Sequence, residues 1–269
     1  MSRESGLRPV SKRQRQKLEQ TVAAIEVRHG LGALKRATEI IHNVPHIATG
    51  FTQVDALTGC GGVPLGAMTL LTGVYSSGKL TIAYKSIAAA QQAYPKQVMA
   101  IVDLHGSGAD ADYLTRAGVD VERVLFLEPN VTPKAVDVLV DLAHTRKVRM
   151  IVVNGLVDLQ QERAVYRHLT ATLGRLQQAL QTTRSALIWI DDPAAAWVRW
   201  LNLDYSTRVR QYAALHIEVQ LEHLLLSQAG ELRGYSSLAK LHKSRWARSG
   251  RTAPLNIEFN GTVKARETW

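Results

Sequence analysis

The sequence predicts an α/β chain, with a mostly parallel twisted sheet, helices on both faces and an antiparallel extension at its C-terminal end. Three observations lead there. From about residue 67 to 191 short apolar, strand-length segments alternate with helix-length ones, the pattern of a parallel sheet covered on both sides. The glycine-rich stretch G-V-Y-S-S-G-K-L-T joins the first of these strands to an Ala-rich helix. The last quarter holds three strand-like segments with no helix between them.

The elements follow in order. Residues 11–28 open on the basic cluster Lys12, Arg13, Arg15 and Lys17 and then place Leu18, Val22 and Ile25 on one stripe of an amphipathic helix. Gly30 and Gly32 end it. The stripe requires a cover, either the rest of its own chain or a neighbouring subunit. Residues 30–47 mix glycine, charge and an Asn-x-Pro, so residues 1–46 are expected to form an N-terminal helix and linker, and residues 47–269 the core. Met68–Thr72 reads as a short strand, Lys79–Tyr94 as a helix, and Gln97–Asp103 as a buried strand. Asp110–Ala117 is a short helix and Val124–Leu127 a strand. Thr132-Pro133 opens a helix to His144 in the preferred order of cap then proline. Val148–Asn154 is a third buried strand, Gln160–Thr182 a long helix, and Ala186–Asp191 a fourth strand. Ala214–Leu225, Ser237–His242 and Leu255–Phe259 complete the antiparallel part.

Composition narrows the function classes. The 269 residues carry 33 Lys and Arg against 23 Asp and Glu, a formal charge of +10, which favours a polyanionic partner such as nucleic acid or a solvated basic surface. Cys60 is the only cysteine, so an intramolecular disulfide is excluded and a reducing, cytoplasmic setting is expected. No apolar run is long enough to span a membrane.

Gly73, Gly78 and Lys79 match the phosphate loop G-x-x-x-x-G-K-[ST] in the required strand–loop–helix setting. There the backbone N–H groups converge on phosphate oxygens, the lysine reaches the β- and γ-phosphates, and a terminal hydroxyl holds Mg²⁺. Leu80 stands where that hydroxyl belongs. Thr81 is turned about 100° away along the helix. The expectation is a phosphate cradle built from Gly73, Ser76, Ser77, Gly78, Lys79, Leu80 and Thr81, with ATP bound weakly or without metal and Mg²⁺ binding impaired.

The order of features resembles the RecA family of recombinases from about residue 17 to 264. The N-terminal L-E-Q-T-V-A-A-I-E-V-R-H-G-L-G-A-L-K-R is similar to the family's polymerisation helix, and Ile47–Gly66 to the signature leading into its phosphate loop. The resemblance implies a RecA-like core, self-association or docking on a RecA-like partner through the N-terminal helix, and single-stranded DNA as ligand. It places Asp110 and Tyr113 around the adenine, where a tyrosine packing at a helix start is the plain alternative. It aligns Lys243 and Arg245 with lysines that reach a neighbouring subunit's nucleotide; a solvated basic turn would look the same.

The departures from the family matter as much as the matches. His105 stands where the family carries its catalytic glutamate, Asn154 replaces the metal-orienting aspartate, and Asp192 matches the glutamine that couples nucleotide state to DNA binding. Leu80, Asn154 and His105 together remove charge and positioning from phosphoryl transfer, so little or no hydrolysis is expected. The first DNA-facing loop is shortened by about a dozen residues. The second carries Trp197, Arg199, Trp200, Tyr205, Arg208 and Arg210, a set that suits single-stranded nucleic acid, a protein interface, or a buried helix face. The leading expectation is a DNA repair and recombination accessory with a degenerate ATP site, of the kind that serves damage-tolerance polymerases. An active recombinase in which Thr81, His105 or Asp103 stands in, and a pure interaction module, are the alternatives.

Overall fold

The computed structural model describes residues 11–30, 44–106, 110–161, 163–192, 206–227, 232–259 and 263–265. The chain forms two units, Met1–Asn43 and Val44–Trp269. In the first, helix α1 (Lys12–His29) stops at Gly30, whose φ of +96° a side chain would resist and whose N–H closes on Glu26 O at 2.8 Å. Leu18 on its stripe is exposed, while Val22 and Ile25 are half-buried.

The second unit is an α/β core. Its main sheet is built from β3 (Met68–Thr72), β4 (Val98–Asp103), β5 (Val124–Leu127), β6 (Val148–Asn154), β7 (Ala186–Asp191), β8 (Leu215–Leu226), β9 (Leu232–Ser244), β10 (Thr252–Phe259) and β11 (Val263–Ala265). Across the sheet the order is β11-β10-β9-β8-β3-β7-β6-β4-β5. The pairs from β8 through β3 to β5 are parallel, and those from β8 outward to β11 antiparallel. A two-stranded ribbon, β1 (His46–Ile47) with β2 (Val63–Pro64), stands beside it.

Alternation along the central strands divides the core in two. Leu71, Met150, Val152, Ile188 and Ile190 face one side, where α2 (Thr52–Thr58), α3 (Lys79–Ala93) and α4 (Ala111–Arg116) supply Val54, Ile82, Ile87 and Leu114. Leu70, Ile151, Val153, Leu187 and Trp189 face the other. There α5 (Pro133–His144), α6 (Leu156–Gln161), α7 (Arg163–Thr183) and α8 (Ser206–Tyr212) bring Leu139, Leu156, Leu173 and Val209. Burial on both faces is why these strands read as continuous apolar runs.

The C-terminal strands run longer than their apolar centres, because β9 extends through Arg233 and Lys243 at either end of the buried stretch. Strand β10 pairs with β9 from Thr252 to Glu258 and with β11 over Ile257–Phe259; Pro254, opposite Leu238, has no outer partner among the described residues. The helix expected over Gln160–Thr182 is preceded by a separate one, α6. The short elements α2, α8 and β11 lie outside the sequence-based element reading.

Candidate functional site: the phosphate loop and its surroundings

The site lies where the parallel strands end, the usual ligand position in an open α/β sheet. Register aligns Thr72 with Asp191, Ile190 with Asn154, and Asn154 with Asp103. The loop after β3, the residue after β7 and the ends of β6 and β4 therefore converge. Between them and the turn-proximal half of the β8–β9 hairpin opens a cavity of about 710 Å³ lined by residues 75–81, His105, Tyr113, Asn154, Ile190, Asp192, Leu221, Leu224 and Tyr235. That volume suits a ligand of nucleotide size.

Two glycines are required by the loop's shape. A Cβ on Gly73 would lie 2.1 Å from Val219 O, and Gly78 has φ +100° with Ile257 Cδ1 2.8 Å from the place a Cβ would take. Ser76 holds a left-handed φ of +56°, uncommon for a residue with a side chain. Ser77 is buried and its hydroxyl has no hydrogen-bond partner among the described residues. An orphaned buried hydroxyl lining a cavity at the N-terminus of the 15-residue α3 fits an anionic ligand.

Lys79 is 5 % exposed. Its ammonium donates to Gly73 O at 2.5 Å and Val74 O at 2.7 Å, and pairs with Asp192 Oδ1 at 2.9 Å. Leu80 is half-buried against the apolar core. Thr81 is fully buried, and its hydroxyl is bonded to the hydroxyls of Tyr113 and, at 3.3 Å, Tyr235. Burial pushes the Tyr235 phenol up to about 12. The Thr81 hydroxyl is thus engaged away from the position next to Lys79.

At the ends of β4 and β6, Asn154 Nδ2 donates to Asp103 Oδ1 at 3.0 Å, and the same oxygen accepts the His105 N–H at 3.1 Å. The His105 ring lies 3.0 Å from Asp158 Oδ2, and the hydrogen-bonded carboxylate holds the imidazole above its ordinary pKa. The residues present fit a phosphate group. They do not fit a Mg²⁺ ion held in the phosphate-loop manner: position 80 is apolar, the 154 side chain is an amide turned to Asp103, and no group of three candidate ligands exists among the described residues.

The remaining sequence-nominated residues take varied positions. Asp110 caps α4 by accepting the Tyr113 N–H at 3.0 Å. Tyr113 lines the cavity, with its ring edge-on to Tyr84 at 5.6 Å. Lys243 Nζ donates to Arg210 O and Gln211 O at 2.8 and 2.9 Å, closing the C-terminus of α8, and burial lowers its pKa. Neither Lys243 nor Arg245 lines the cavity. Arg208 is exposed on α8 and Arg210 is half-buried. Trp197, Arg199, Trp200 and Tyr205 lie outside the described residues.

Sequence reasoning missed Asp158 and Tyr235. Asp158 comes 53 residues after its imidazole partner, with no local signal. It also missed a polar cluster beside the loop. His216 Nε2 meets Thr72 Oγ1 at 2.9 Å, its ring stacks on His242 at 5.0 Å, and His242 Nε2 meets Glu218 Oε2 at 2.6 Å. The His-x-Glu of β8 was a faint signal, because period two puts both residues on one face.

A glycine loop and lysine at the C-terminal ends of a parallel sheet that continues antiparallel define an α/β core of the phosphate-loop class. The family model of the RecA N-terminal domain matches residues 16–191. Protein RecA of Aquifex pyrophilus is 31% identical over 259 residues, covering 90% of this chain and 73% of that protein. Protein RecA of Mycoplasma pneumoniae is 28% identical over 230 residues, 80% of this chain and 68% of the relative. That of Nitratidesulfovibrio vulgaris strain DP4 is 29% identical over 204 residues, 71% and 56%. The chain belongs to the RecA family. It spans roughly half to three quarters of the length of these relatives. No helix among the described residues is long and apolar enough to cross a membrane.

Proposed function

We propose that this chain is a DNA repair and recombination accessory whose phosphate loop binds ATP weakly and without a requirement for Mg²⁺, with little or no hydrolysis. The observation that carries the reading is the rewiring around the cradle. Where phosphoryl transfer needs a metal hydroxyl, a metal-orienting carboxylate and a water-activating base, the chain has a half-buried Leu80, an amide bonded to Asp103, and an imidazole paired with Asp158. Catalysis of this kind rests on positioning and charge neutralisation, so losing all three removes most of the turnover. Membership of the RecA family and the charge of +10 support single-stranded DNA and a RecA-like protein, or a second copy of the chain, as partners in the cytoplasm. Service to a damage-tolerance polymerase complex is part of the same proposal and rests on class-level analogy.

The test is phosphate release from Mg²⁺-ATP, with and without single-stranded DNA, alongside direct nucleotide binding in EDTA. The reading expects binding with turnover at least about 10³-fold below that of a Mg²⁺-dependent recombinase measured in parallel. Turnover at the recombinase's level would overturn it. Absence of binding in both buffers would leave only a protein-interaction module.

One observation favours a second reading. The His105 imidazole lines the cavity with a carboxylate behind it at 3.0 Å, the arrangement by which a carboxylate orients a general base. In that reading any turnover disappears in Asp158→Asn and rises with pH as the imidazolium loses its proton.

A further inference from the structure

The charges inside the cradle bear on what the cradle can hold. An ammonium has three N–H donors. Those of Lys79 have three acceptors in place: the carbonyls of Gly73 and Val74 and the carboxylate of Asp192. The ion pair is largely out of water, with the two side chains 6% and 15% exposed. The lysine that would neutralise a phosphate is already neutralised by the chain itself.

We propose that Asp192 is an internal competitor for the phosphate site: its carboxylate and a phosphate group are alternative partners of Lys79, so a nucleotide binds only by ejecting Asp192. This rests on the nucleotide reading above.

Two facts separate this arrangement from an incidental ion pair. Asp192 follows directly on β7, whose last residue is paired with Thr72, so its backbone is fixed beside the loop. Meanwhile the buried Ser77 hydroxyl lining the same cavity has no partner among the described residues. Asp192 therefore engages the lysine without filling the cradle, which keeps an unused hydroxyl for an anion. With no metal ligand at position 80, a carboxylate and a phosphate held a few ångströms apart repel each other across the one Lys79 ammonium they would share, and the two exclude each other. Asp192 is then a positioning residue that sets affinity by holding Lys79, and its side chain is released whenever a phosphate arrives.

The experiment has two arms on the full chain. In EDTA, ATP is titrated into wild type, Asp192→Asn and Asp192→Ser. Removing the competing charge is expected to tighten binding by at least about tenfold. Equal affinity in wild type and both variants would overturn the proposal while leaving the nucleotide reading intact. No binding by any of the three proteins would overturn both. The second arm needs no variant: a zero-length carbodiimide joins Lys79 to Asp192 in wild type, and the cross-linked peptide is quantified by mass spectrometry. Saturating ATP is expected to suppress that cross-link about fivefold or more; a cross-link unchanged by ATP that demonstrably binds would refute the exclusion.

Discussion

His216 links acid sensitivity to the strand that carries the phosphate loop. Its imidazole is held mainly neutral by burial, reinforced by the neighbouring His242, Arg210 and Lys243 and opposed by Glu218, so that its pKa falls from 6.5 to about 4. The unfolded chain therefore takes up a proton on this ring more readily than the folded one. The associated stability is fully present above pH 6.5 and is lost as pH falls through the window from 6.5 to about 4. At about 1.4 kcal/mol per pH unit the whole displacement corresponds to about 3 kcal/mol, of which about 2 kcal/mol is lost between pH 7.5 and 5. Replacing His216 by Gln keeps a polar side chain facing Thr72 and removes the titration. Urea unfolding followed by tryptophan fluorescence at pH 7.5, 6 and 5 should show wild type losing about 2 kcal/mol more than the variant across that range. Parallel losses in the two proteins would refute the assignment of the acid sensitivity to this ring.

Two further predictions concern the sheet and the basic surface. Trp189 is completely buried on β7 opposite Leu70, and its indole N–H has no partner among the described residues. Trp189→Ala should cost about 3–5 kcal/mol in denaturant unfolding, while Trp189→Phe, which removes the orphaned donor and keeps most of the ring volume, should cost less than about 1.5 kcal/mol. Arg208 is exposed on α8. If it meets a DNA phosphate, Arg208→Ala should weaken single-stranded DNA binding and reduce the slope of log affinity against log salt by about 1; an unchanged slope would place the DNA elsewhere.

The fold was legible where burial is two-sided. The strands β3, β4, β6 and β7 read as apolar runs because both their faces are buried, and Gly73, Gly78 and Lys79 keep the spacing of a phosphate loop. Short α2 and α8 and the three-residue β11 were not legible, since one or two turns of helix and a three-residue strand owe their existence to packing. In the site, Leu80 could be read from the loop motif and His105 and Asn154 from the resemblance to the RecA family, but not what each side chain does instead. The pairing of Lys79 with Asp192, and of His105 with Asp158, joins residues 113 and 53 apart through strand order. Asp110 illustrates the ambiguity of a single residue: the family resemblance nominates it for adenine, and in this fold its carboxylate caps α4.

Pro254 bears on how the protein behaves in concentrated solution. A strand flank without a neighbour presents a row of amide protons and carbonyls onto which another extended chain can add, the first step toward ribbon-like precipitates. Among the described residues none pairs with Pro254 on the side away from β9, and a proline nitrogen has no proton to give. Any chain adding there would meet a gap in its ladder midway along β10. At Pro254 strand β10 is thereby made a poor template for fibrous growth.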